Sequence, residues 1–142
     1  MLTLSGCSYS YDVQANLSGG HLTFDANPQW GADCVREVEV SWDGGAASAQ
    51  TEVVWDQEIS YADGCKNKFP IVYGARLKGQ LYGYDSEGAI DPTIGSPASL
   101  VAAKMLQVGV IYTVHTVTGA TGYGCGRFRL QADNVVQNLG CT

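Results

Sequence analysis

The chain has 142 residues, with 14 acidic and 8 basic side chains and a formal net charge of −6. That length supports one domain with its own core, and so acidic a surface repels phosphate backbones, which argues against a nucleic-acid partner. Hydrophobic residues at 45% argue against disorder, and no apolar run reaches the ~18 residues of a membrane helix.

The pattern along the chain is that of short strands. Ser8 to Leu17 alternates without a break: Tyr9, Tyr11, Val13, Ala15 and Leu17 share one face, and Ser8, Ser10, Asp12, Gln14 and Asn16 the other. Period two over ten residues predicts a half-buried strand. Gly19-Gly20 ends it, and Leu22, Phe24 and Ala26 mark a second strand that forms a hairpin with the first. Cys34 to Trp42 is the next, with Val38, Val40 and Trp42 inward and Glu37, Glu39 and Ser41 outward. Asp43-Gly44-Gly45 turns the chain, and Thr51 to Trp55 returns with Thr51, Val53 and Trp55 on one side.

A polar loop follows from Gln57 to Lys68. Phe69 to Tyr73 and Leu77 to Tyr84 are predicted as short strands, and Asp85 to Pro97 as a loop. Ser99 to Leu106 fits either a short helix capped at Ser96-Pro97 or a buried strand; its strand-rich surroundings favour the strand. Val110 to Val117 is β-branched and predicts a central strand. Gly119 to Gly126 is read as a turn, and Arg127 to Ala132 as a strand with Phe128, Leu130 and Ala132 inward. Asp133 to Thr142 is a tail held by Cys141. Eight or nine short strands with frequent turns predict an all-β sandwich or barrel in a single domain.

The cysteines are Cys7, Cys34, Cys65, Cys125 and Cys141. No CxxC occurs and no histidine lies close to a cysteine, so zinc has little support. Two disulfides and one odd cysteine is the simplest arrangement, and it places the chain in an oxidising compartment. Of three connectivities, Cys34 with Cys65 and Cys125 with Cys141 close the shorter loops, each stabilising by about 3–4 kcal/mol in the chain-entropy model.

Leu4-Ser5-Gly6-Cys7 resembles the lipobox of bacterial lipoproteins. The resemblance implies that residues 1–7 are a signal-peptide remnant, that Cys7 is lipidated, and that residues 8–142 form the domain. The alternative for Cys7 is a free thiol or an interchain crosslink. Leu106-Gln107-Val108-Gly109-Val110-Ile111-Tyr112 resembles the tyrosine corner of fibronectin type III domains, with Val108 in place of the usual proline. Val38-Glu39-Val40-Ser41-Trp42 is similar to the tryptophan-bearing strand of that family. The resemblance implies an immunoglobulin-like antiparallel β-sandwich of about eight strands, with Leu106 in the core, Gly109 at the turn and Tyr112 at the corner. With the lipobox, it implies a small bacterial envelope lipoprotein in the periplasm, at the outer membrane or on the cell surface, reaching the membrane only through an anchor at Cys7.

Motifs for catalysis are missing. His21 and His115 both fall in strands, and no GxSxG, HExxH or P-loop occurs. Gly122-Tyr123-Gly124-Cys125-Gly126 precedes a strand, so it reads as a hairpin or bulge rather than a phosphate cradle. Asp85, Ser86, Glu87 and Asp91 offer hard oxygens but fit no EF-hand, and read as a polar turn. No catalytic residue, cofactor or metal is therefore expected. Trp30, Tyr61, Tyr82, Tyr84 and Tyr123 fall in loops or on polar faces, where rings stack on sugars or anchor protein contacts. The expected function is a non-enzymatic binding or structural role toward a protein or glycan. A carbohydrate-binding module is one alternative. A filament or pilus subunit, homopolymerising by exchange of the strand Ser8 to Leu17, is the other.

Overall fold

The computed structural model describes residues 9–28, 34–43, 51–60, 65–79, 100–119 and 121–141. Among them are nine strands and no α-helix: β1 (Tyr9–Asp12), β2 (Gln14–Ser18), β3 (His21–Asp25), β4 (Val35–Asp43), β5 (Thr51–Glu58), β6 (Ile71–Val72), β7 (Ile111–Thr118), β8 (Gly122–Gln131) and β9 (Val135–Asn138). One sheet runs β1-β8-β7-β4-β5, with β9 also on β8; the other runs β2-β3-β6. The fold is thus all-β, with two sheets.

The long alternation at the start of the chain is present, but it serves both sheets. β1 pairs with β8, and β2 pairs with β3 through the two-residue turn Gly19-Gly20, where both glycines have positive φ. The switch falls at Val13, whose N–H still donates to the Cys125 carbonyl of the first sheet. Parity survives the switch, so Val13 and Ala15 are both buried. The expected antiparallel sheet has one exception, because β1 runs parallel to β8. Its direction is fixed by β2, which continues the same run and must oppose β3.

Phe24 of β3 sits at the centre of the core. It stacks on Trp55 of β5 at 6.5 Å and meets Phe128 of β8 at 5.4 Å between ring centroids. Phe128 in turn stacks on Tyr112 of β7 at 5.7 Å. Aliphatic Val38, Val40 and Val114, all fully buried, belong to the same core. Both expected disulfides are present: Cys34–Cys65 ties the residue before β4 to the segment after β5, and Cys125–Cys141 ties the tail to β8.

The glycine-rich stretch after Gly119 is not a turn throughout, since β8 begins at Gly122. Gly122, Gly124 and Gly126 are buried on its inner face, and β1 occupies the space their side chains would fill. A Cβ on Gly122 would meet Thr118 and Tyr9, one on Gly124 would meet Thr116 and Tyr11, and one on Gly126 would meet the Val13 carbonyl.

Residues 100–106 form neither helix nor strand. They lie along β5 as irregular chain, with one bridge between Asp56 and Val101 and a bond from Lys104 N–H to the Val54 carbonyl. The irregularity matches a break in β5 itself. Opposite it, the register shifts between Val40 and Ser41, leaving Val54 unpaired with β4. Val54 and Trp55 are then both buried, against simple alternation, and Val53 is only partly so.

Ser41, expected outward, is 9% exposed, whereas Trp42, expected in the core, is 37% exposed at the end of β4. The predicted strand Phe69 to Tyr73 shrinks to Ile71–Val72, and residues 77–79 are not strand; the rest of Leu77 to Tyr84 lies outside the described residues. Buried Asn67 holds that connection instead, exchanging two hydrogen bonds with the Lys78 backbone at 2.8 and 2.9 Å. The tail contains a strand, β9, reached by a turn in which Asp133 and Asn134 both have positive φ.

Candidate functional site

Three surfaces of the described residues carry chemistry. The first is a cleft of about 180 Å³ at the end of the large sheet. Trp42 and its cross-strand partner Tyr112 form its floor, with Val54 and Val110 beside them. Glu52 and Lys104 cross the rim as an ion pair at 2.7 Å. Both partners are about half exposed, so the pair contributes little to stability and serves as polar lining. Met105, next in the rim, is 94% exposed, and nearby Val108 is 65% exposed.

The rim is held by backbone bonds. Tyr73 donates its hydroxyl hydrogen to the Lys104 carbonyl at 2.6 Å, and burial pushes that hydroxyl up to about 12, helped by neighbouring Tyr112. Gln107 N–H donates to the Tyr112 hydroxyl at 2.8 Å. Gly109 turns the chain at φ +86°, and its N–H donates to the Leu130 carbonyl. Leu106 packs partly buried against the core.

The second surface is a shallow polar groove of about 600 Å³ where β1 passes into β2. Tyr11, Asp12, Gln14, Asn16, Asp25 and Asn27 line it. A ring, two carboxylates and three amides are the groups that bind hydroxyl-rich ligands.

The third is a carboxylate cluster on the outer face of the large sheet. Glu39 pairs directly with Asp56 across β4 and β5, and Glu37 pairs with Glu58. One carboxylate oxygen each from Glu37, Glu39 and Asp56 lie within 4.8 Å of one another. Asp56 is 7% exposed, and its Oδ1 has no hydrogen-bond partner. Burial first, then the charges of Glu37, Glu39 and Glu58, push Asp56 up to about 7. Glu37 is raised by burial and by Glu58 and Glu39, with Arg36 opposing; Glu58 is raised by burial against the same arginine.

The residues singled out from sequence are dispersed. Trp30, Tyr61, Tyr82, Tyr84 and Cys7 lie outside the described residues, as do Asp85, Glu87 and Asp91. Tyr123 is half exposed on the outer face of β8, opposite Val117 and away from the Trp42 cleft. His21 ends the small sheet at the Gly19-Gly20 turn, while His115 is exposed on β7 between Glu39 and Cys125. The two histidines are on different sheets, and neither lines the cleft or the groove.

Sequence reasoning missed Asp56, Glu52 and Met105. The signal for Asp56 was available in the hairpin: Glu37-x-Glu39 opposite Asp56-x-Glu58 stacks four acids on one face. Met105 had none, because its exposure depends on residues 100–106 remaining irregular. No protein-family model matches the chain, and no curated protein or solved structure is significantly similar to it.

Proposed function

We propose that this chain is a non-enzymatic binding domain of the cell envelope or of a secreted protein, built as an immunoglobulin-like sandwich, that contacts a protein partner through the Trp42 cleft. The observation that carries the reading is the exposure of Trp42 and Met105 side by side at one end of the fold, beside the Lys104–Glu52 pair. A tryptophan and a methionine beside a charged pair is the composition of a contact patch, with an apolar centre and a polar rim. Two disulfides favour an oxidising compartment. The strand order, with a tyrosine at the start of β7 bonded back to Gln107, favours the immunoglobulin-like assignment. Lipidation at Cys7 would supply the anchor.

A photo-reactive amino acid in place of Met105, in protein made by the source cell, tests the contact. The expected result is a discrete adduct that Trp42→Ala abolishes; no adduct, or one indifferent to Trp42, contradicts it. The second reading, a carbohydrate-binding module, is favoured by the Tyr11 groove and its amides and carboxylates. Saccharide binding that is lost in Gln14→Ala or Asn16→Ala, with Trp42→Ala neutral, would select it. Strand exchange has less support, because β1 and β2 are already paired with β8 and β3 and would have to be released.

A further inference from the structure

We propose that Glu37, Glu39 and Asp56 bind a divalent cation of the calcium class on the outer face of the large sheet. The donors come from two hydrogen-bonded strands, so their spacing is set by the ladder rather than by a loop. Their oxygens lie no more than 4.8 Å apart. That is the span across one calcium ion, twice a bond of about 2.4 Å.

The independent observation is the state of Asp56. Its Oδ1 is sealed from solvent and accepts no hydrogen bond. A buried carboxylate oxygen without a partner is costly, and a cation supplies the missing partner while offsetting the repulsion of the two glutamates. All three donors are carboxylates, which favours a hard ion over zinc or copper. Glu37 and Glu39 are half-buried, leaving an open side where water completes the shell.

The neighbours are compatible. Glu58 stands opposite Glu37 as a further carboxylate, and exposed His115 stands opposite Glu39 on β7. Arg36 donates its Nε to the Gly119 carbonyl at 2.7 Å. Asp56 also bonds through its backbone to Val101, so a bound ion would tie together β4, β5 and the segment that leads to the cleft rim. Three protein carboxylates with water imply a Kd of about 10⁻⁴–10⁻³ M, in the range of extracellular calcium modules.

Calcium chloride titration of the full chain, followed by calorimetry and thermal unfolding, tests the site. The expected result is saturable binding and a Tm increase of roughly 3–6 °C at tenfold excess over Kd. Sodium chloride at matched ionic strength should not reproduce it. Asp56→Asn and Glu39→Gln should each weaken calcium binding by about tenfold or more; Glu39, half-buried, carries the test where the buried substitution disturbs folding. No response to ~10 mM calcium, ten times the upper Kd expected, would overturn the assignment. An equal response to sodium chloride, or calcium binding undiminished in the folded variants, would overturn it too.

Discussion

The Tyr11 hydroxyl lies 2.8 Å from Thr116 Oγ1, two strands away, and reaches it over Gly124. Tyr9 repeats the relationship one step along, over Gly122 toward Thr118 at 3.5 Å. Thr116 and Thr118 are otherwise polar groups inside an apolar core, at 1% and 0% exposure. The glycines therefore do more than bend the chain: they leave the room in which β1 covers the sheet and supplies partners for buried hydroxyls.

Gly124→Ala should accordingly destabilise the fold by about 1–3 kcal/mol, the range for overpacking a close-packed site. Tyr11→Phe should cost about 1 kcal/mol, the loss of one partner to a buried hydroxyl. Urea unfolding midpoints measure both. A neutral Gly124→Ala would mean that β1 does not lie on β8.

Asn138 should be a second point of sensitivity. Its Oδ1 accepts from Ala15 N–H at 2.8 Å and its Nδ2 donates to the Ala15 carbonyl at 2.9 Å, so one side chain of β9 occupies the free edge of β2. Asn138→Ala should cost about 1–3 kcal/mol and raise the hydrogen-exchange rate of the Ala15 amide. Asn138→Asp keeps the acceptor but loses the donor, and should protect Ala15 only in part.

Stability should fall as pH rises from about 4 to about 7. Asp56 titrates near 3.8 when unfolded and is pushed up to about 7 in the fold, so the native state binds its proton more tightly. A raised carboxyl contributes stability that is complete below the unfolded value and is lost as pH passes the folded one. Glu37 and Glu58 shift in the same direction. In calcium-free buffer, Tm should be higher at pH 5 than at pH 8. Asp56→Asn should remove most of that difference, stabilising by about 1–2 kcal/mol at pH 8. A Tm that rises over this interval would contradict the burial of Asp56.

Reduction should be costly at two separate places. The bridges close loops with sequence separations of 31 and 16 residues. Opening either should cost about 3–4 kcal/mol in the chain-entropy model. Paired serine replacements at Cys34 and Cys65, and separately at Cys125 and Cys141, should each lower the urea midpoint by a comparable amount.

What was legible in the sequence was local. Period two placed the buried row Val13, Ala15, Leu22 and Phe24, and β-branched residues placed β7 at the centre of its sheet. Loop length placed both disulfides. What escaped depends on pairing between distant segments. The move of the chain between sheets at Val13 leaves no trace in alternation, because it does not change parity. Three glycines in five residues resemble a turn until Tyr9 and Tyr11 are laid over them. The unpaired Val54 breaks the alternation expected of β5. The carboxylate cluster exists only once Glu39 is set opposite Asp56.

The decisive measurement is peptide mapping of the protein from its source cell, digested without reductant and with free thiols blocked. A peptide containing Cys34 should be joined to one containing Cys65, and Cys125 should be joined to Cys141. Blocked thiols at these four positions, or a different pairing, would contradict both the architecture and the oxidising address assigned to it.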